Sequence, residues 1–112
     1  MKIYISGPIT GQDYRETLAL FSEAEKHIAE AGHEPVNPLR NGLPTGASYE
    51  EHLLADFKML LGSDAILLLF GWRQSKGCRM ENNIAMNMGK VIFTSFGSLR
   101  SVDTKTIQKS NI

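Results

Sequence analysis

Six consecutive apolar residues, Ala65-Ile66-Leu67-Leu68-Leu69-Phe70, stand between the polar pair Ser63-Asp64 and Gly71. The run is far too short to cross a bilayer. It shows no alternation with polar residues, so a strand over Asp64 to Phe70 has no face suited to water. Such strands lie inside parallel sheets with helices on both sides. The rest of the chain supplies those elements. Lys2 to Ser6 is a short buried-strand pattern ended by Gly7-Pro8. A helix is predicted from about Tyr14 to Ala31, with Leu18, Phe21, Ala24 and Ile28 at helical spacing and Gly32 placed to end it. Glu34 to Asn37 reads as a strand before Pro38, and Leu39 to Ala47 as a loop. Ser48 and Glu51 fit a capping box opening a second helix, whose apolar face is Leu53, Leu54, Phe57, Leu60 and Leu61. A third helix is predicted from about Gly77 to Met88, ended by Gly89, before a fourth strand over Val91 to Thr94. Strands alternating with helices give an α/β fold with an open parallel sheet.

At 112 residues the chain suits one domain with one core, and twelve basic residues balance twelve acidic ones. That balance gives no broad surface for nucleic acid or membrane. Met1-Lys2-Ile3-Tyr4-Ile5 runs straight into a strand pattern, unlike a signal peptide. Cys78, the lone cysteine, allows no internal disulfide, and three scattered His form no zinc site. These features predict a cytoplasmic protein. Residues 1–96 read as the folded domain. The polar stretch 97–112 reads as a tail, disordered in part or docked on a partner.

Glu81 is the anomaly. The third helix has an apolar stripe of Cys78, Ile84, Ala85 and Met88, and helical spacing puts Glu81 in its middle. A buried carboxylate is costly unless it is paired or hydrogen-bonded. It is therefore either a structural group satisfied by backbone N–H donors or a group in use. In open parallel sheets, ligands bind beyond the carboxyl ends of the strands at the switch point. Two loops meet there if the first and third strands are neighbours. One is Gly7-Pro8-Ile9-Thr10-Gly11, the other runs from Gly71 to Gly77 and leads to Glu81. The first is either a tight turn or a turn that brings backbone N–H groups to a phosphate or sugar hydroxyl. Its spacing is neither the dinucleotide fingerprint nor a P-loop. Ser75 and Lys76, just before the Glu81 helix, suit an anion. Trp72 suits stacking on a base or packing equally. Asp56 lies at the edge of the second helix's apolar face. Asp64 reads as structural. Tyr4, in mid-strand, reads as core.

Together, the Tyr4-Ile5-Ser6-Gly7-Pro8-Ile9-Thr10-Gly11 opening, Asp56 eight residues before Asp64, and the block Gly71-Trp72, Ser75, Gly77, Glu81 resemble the nucleoside 2-deoxyribosyltransferase superfamily. Within it, the chain looks most like a small branch of bacterial and phage proteins with a Tyr-Ile-Ser-Gly-Pro start (DUF4406-like). The likeness spans roughly residues 2 to 94. It implies a flavodoxin-like sheet of four to five strands, in the order 2-1-3-4, with helices on both faces. It also implies chemistry at the N-glycosidic bond of a 2'-deoxynucleoside or its 5'-monophosphate. Carried over by position, the nucleophile falls on Glu81, the carboxylate assisting the departing base on Asp56, and the first-strand tyrosine on Tyr4. Ser75 takes the place of a serine that binds the 5'-phosphate in the nucleotide-hydrolysing branch. The Gly7 to Gly11 turn, Trp72 and Gly77 complete the expected substrate contacts. No metal or redox cofactor is implied. The expected partner is a small nucleoside or nucleotide, with the chain assembled as a homodimer or higher homo-oligomer. Two departures stand out. Asn82-Asn83 follows the nucleophile where the superfamily has a small-residue segment such as Leu-Gly. The residues a neighbouring subunit contributes have no clear counterpart, with Ser95, Ser98 and Ser101 as candidates. The alternatives are a module of the same fold that binds a nucleotide without turnover, and a phage accessory protein whose tail and surface matter more than its cleft.

Overall fold

The computed structural model of the protein describes residues 1–100. Strands β1 (Lys2–Ser6), β2 (Glu34–Val36), β3 (Ala65–Leu68) and β4 (Val91–Phe93) form a parallel sheet in the order β2-β1-β3-β4. This is the order expected, and the architecture is a flavodoxin-type α/β fold. Helices α1 (Tyr14–Glu30), α2 (Tyr49–Leu61) and α3 (Lys76–Asn87) cover it.

The period-2 alternation of β1 and β3 divides the core into two layers. Ile3 and Ile5 of β1, with Ala65 and Leu67 of β3, pack against Phe21, Ala24 and Ile28 of α1. Tyr4, Ile66 and Leu68 point the other way and pack with Leu60 of α2 and Ala85 of α3. Asp64, which heads β3, accepts from the Lys2 backbone N–H at 2.8 Å and ties the starts of two strands together. The capping box forms as read: Ser48 Oγ accepts from the Glu51 N–H, and Glu51 accepts from the Ser48 N–H.

Several faces differ from expectation. The apolar run overshoots its strand: β3 ends at Leu68, and Phe70 is 97% exposed. The backbone turns at Gly71, whose φ of 86° suits glycine, and this carries Phe70 off the sheet. On α1, Thr17 takes the inner position and Leu18 is exposed. On α2, Leu54 and Leu61 are exposed, and Leu60 alone is fully buried. Helical geometry explains this, since Leu53, Asp56 and Leu60 share one line of the helix while Leu54 and Leu61 lie a third of a turn away. Met88 is the C-cap of α3 and is exposed. Gly97–Arg100, expected within the tail, forms a 3₁₀ turn that buries Leu99 in the α1-side core. His33 Nε2 lies 3.3 Å from the Leu99 carbonyl.

The end of β1 is packed tightly. A Cβ added at Gly7 would lie 2.9 Å from Leu69 Cδ1 and 3.3 Å from Phe21 Cε1. Gly7→Ala is expected to destabilise the protein by roughly 1–3 kcal/mol through overpacking. Urea unfolding should show a lower midpoint with an unchanged slope. A midpoint equal to wild type would show that Leu69 yields freely.

Candidate active site

Glu81 lies on the α3 face that packs under β1, and it is 7% exposed. It is not satisfied by backbone N–H groups. Tyr4 Oη donates to Glu81 Oε2 at 2.5 Å, and Ser6 Oγ donates to Oε1 at 2.7 Å. The two donors come from alternate positions of β1, so both point to the α2–α3 side of the sheet. Short hydroxyl-to-carboxylate bonds are among the stronger ones and stabilise the anion. Burial acts against them and dominates, and the nearby Asp56 charge adds to it. The carboxyl is pushed up to about 7, with the Tyr4 and Ser6 hydrogen bonds opposing the rise. Both protonation states are therefore populated near neutral pH. Burial, reinforced by the Glu81 and Asp56 charges, holds the Tyr4 hydroxyl well above its usual range, so it stays a donor.

Glu81 forms part of the wall of a cavity of about 390 Å³ at the carboxyl end of β1. Across it, α2 contributes Tyr49, His52, Leu53 and Asp56. Asp56 thus occupies the middle of the inward face of α2 rather than its edge. Burial raises its carboxyl above the ordinary range, against a hydrogen bond from Asn41. A raised carboxyl facing an ionisable one across a cavity is an acid–base arrangement.

The remaining expected residues divide between this cavity and another beside it. Gly7, Ile9 and Thr10 of the β1–α1 turn line the first, as do Ser75 and Gly77. Pro8 lines the second, of about 640 Å³, which shares Thr10, Ser75 and Gly77 with the first and adds Lys76. Ser75 is also the N-cap of α3, its Oγ accepting from the Cys78 N–H at 3.3 Å. Gly11 and Trp72 line neither cavity. Gly11 serves the turn, at φ 79°. Trp72 is half-buried against the Tyr4–Leu60 core layer, with the Arg73 guanidinium 5.3 Å from its ring centre. Ser95 and Ser98 hydrogen-bond each other beyond β4, away from both cavities, and Ser101 lies outside the described residues. At the Asn82-Asn83 departure, Asn82 Oδ1 is shielded from solvent with no hydrogen-bond partner among the described residues.

Sequence spacing gives Ser6, Asn41, His52 and Cys78 no role in a site. Ser6 had a legible signal, two residues after Tyr4 on one strand. His52 had another, four residues before Asp56 on one helix. Cys78 is buried beside Ser6 and Ser75, and burial pushes its thiol up. No group of three or more His, Cys, Asp or Glu placed to hold a metal ion occurs among the described residues, and no helix there is long and apolar enough to cross a membrane.

A family described as "Domain of unknown function (DUF4406)" matches residues 1–94. Among solved structures, a 2-deoxyribosyltransferase from the psychrotolerant bacterium Bacillus psychrosaccharolyticus superposes with a TM-score of 0.71 at 19% identity, over 96% of each chain. A conserved protein from Enterococcus faecalis V583 gives a TM-score of 0.62 at 23% identity, over 98% of this chain and 72% of that one. At these identities the likeness is one of fold. No curated protein matches the sequence.

Proposed function

Starting from the DUF4406 family, to which this chain belongs, we propose that it cleaves or transfers at the N-glycosidic bond of a 2'-deoxynucleoside or its 5'-monophosphate. The observation that carries this reading is Glu81, held by the Tyr4 and Ser6 hydroxyls in the wall of a cavity shared with Asp56. Fold likeness to a 2-deoxyribosyltransferase supports it.

In the proposed reaction the Glu81 carboxylate attacks C1' of the sugar while the C1'–N electron pair leaves with the base. Asp56 gives the departing base its proton. The product is a glycosyl ester on Glu81. Water attacks that ester in hydrolysis, returning a proton to Asp56, and a second base attacks it in transfer. Tyr4 and Ser6 spread the charge on the carboxylate before attack and hold its plane. Ser75, Gly77 and Lys76 suit the 5'-phosphate at the start of α3, where N–H groups and helix dipole favour an anion. The reaction needs neither metal nor redox cofactor. A homo-oligomer, with a second copy completing the site, belongs to the same reading.

The test is incubation with a panel of 2'-deoxynucleosides and their 5'-monophosphates, followed by assay of free base and by intact mass of the protein. Base release with a deoxyribosyl adduct is expected. Binding without release over long incubation would reassign the chain as a nucleotide-binding module. Neither binding nor release would overturn the proposal altogether.

A further inference from the structure

Asn41 sits in the loop after β2, distant in sequence from the residues already discussed, yet it meets the carboxyl at the heart of the proposed reaction. Its Oδ1 accepts from the Leu43 backbone N–H at 3.1 Å. That contact decides which end of the amide faces which way. Nδ2 therefore faces Asp56 Oδ1 at 3.0 Å and His52 Nδ1 at 3.0 Å. An amide nitrogen carries two hydrogens, enough for both acceptors. Asp56 Oδ1 receives a hydrogen bond, so a proton carried by this carboxyl belongs on Oδ2. His52 Nδ1 accepts, so its ring hydrogen is on Nε2.

The loop that presents Asn41 is braced on both sides. Asn37 Oδ1 accepts from the Leu39 N–H at 2.9 Å. Arg40 makes a two-pronged pair with Glu25 of α1, at 2.8 and 3.0 Å. Such forked pairs fix geometry more firmly than single contacts. A braced loop that spends a whole side-chain amide on two cavity-lining groups of another element is more than a connection.

We propose that Asn41 is a positioning residue for departure of the base: it holds the Asp56 carboxyl with its proton on Oδ2, and fixes His52 as a second, Nε2–H donor beside it. The inference rests on the reading of Asp56 as the acid. In the step it serves, the Asp56 Oδ2 proton moves to a ring nitrogen of the base, the C1'–N pair leaves with that base, and Glu81 forms the new bond to C1'. A base carrying a second acceptor near the protonated nitrogen is the one this pair of donors suits.

Two variants and two leaving groups test it. Asn41→Asp keeps an acceptor for the Leu43 N–H but offers no hydrogen to Asp56 or His52, and Asn41→Ala removes the contact. Each is compared with wild type on the best natural substrate and on the matching deoxyriboside that releases 4-nitrophenolate, a leaving group that needs no proton. Base release should fall roughly 10- to 100-fold, mostly in kcat, a part of the roughly 10²–10⁴-fold that a general acid contributes, while 4-nitrophenolate release should stay within about 3-fold of wild type. Equal losses on both substrates would make Asn41 merely structural, and no loss on either would also overturn the role. If the wild-type protein releases neither product, the assignment of Glu81 fails and this proposal fails with it. Long-range proton–nitrogen NMR of His52 reads the network without turnover. Its neutral ring should carry the hydrogen on Nε2 in wild type and lose that fixed preference in Asn41→Ala. A hydrogen on Nδ1 in wild type would overturn the arrangement.

Discussion

Glu81→Gln is expected to lower base release about 10³-fold or more and to abolish the glycosyl adduct, while leaving the protein folded. The amide keeps the shape of the carboxyl and lacks a nucleophilic anion. It also fits the donors around it. One of the two hydroxyls, Tyr4 Oη or Ser6 Oγ, still donates to the amide oxygen. The other turns and accepts from the amide nitrogen, since each hydroxyl is donor and acceptor at once. Glu81→Ala lacks this compensation. It strands two buried hydroxyls, at about 1–3 kcal/mol for each one left unpaired, and opens a void in addition. A lost rate in Glu81→Ala alone would therefore be ambiguous between chemistry and folding, whereas loss in Glu81→Gln would not. Free base by chromatography and adduct by intact mass are the measurements. Retention of most of the wild-type rate by Glu81→Gln would remove Glu81 as nucleophile and return it to a structural role.

Much of this geometry was legible in the residues, and the misses have local causes. The strands, the helices and the capping box follow from patterns confined to a few neighbouring positions, where short-range rules are strong, whereas the sheet order joins distant segments and is implied only by the family resemblance. Glu81 was legible because a carboxylate in the middle of an apolar stripe conflicts with its surroundings, and such conflicts mark sites in use. Sequence spacing puts Asp56 at a helix edge because five apolar residues of α2 look like one broad face. In the fold four of them divide into an inward line, Leu53 and Leu60 with Asp56 between them, and a separate outward pair, Leu54 and Leu61, with Phe57 half-buried between the two. Sequence periodicity cannot tell which apolar line faces the sheet when both are present. Phe70 continues the apolar run past the end of β3 at Leu68 and into the turn that Gly71 makes with its positive φ, because composition carries no record of where the backbone turns. Asn41 stands in a loop without periodicity and meets His52 and Asp56 of α2 at separations of 11 and 15 residues, so nothing in the pattern announces that contact.

The stability of wild type should fall relative to Glu81→Gln as pH rises from about 4.5 to about 7, by roughly 3 kcal/mol in total. The sign follows from the direction of the shift. Burial lifts the folded carboxyl from its ordinary 4.5 to about 7, over the opposition of Tyr4 and Ser6. Below 4.5 the group is protonated in both states and contributes its full share of stability. Between the two values the unfolded chain has released the proton while the folded chain keeps it, so unfolding releases a proton and raising the pH favours it. Above 7 both states are ionised and the difference levels off. Burial also raises Asp56, and its slope has the same sign, but Asp56 is present in both proteins and largely cancels in the comparison. Urea unfolding of the two proteins at pH values on both sides of the window measures the effect, and parallel curves throughout would show that Glu81 is not strained by its burial. The same titration should act on the rate in the opposite sense. Base release needs Glu81 ionised and Asp56 protonated, so kcat/KM should climb as Glu81 ionises and fall again once Asp56 loses its proton. A carboxyl kept only for structure would produce the fall in stability without the climb in rate. One that gives both, with the fall in stability levelling off near 7 where half of the folded protein is ionised, has its charge held in the fold at a thermodynamic cost because the reaction uses it.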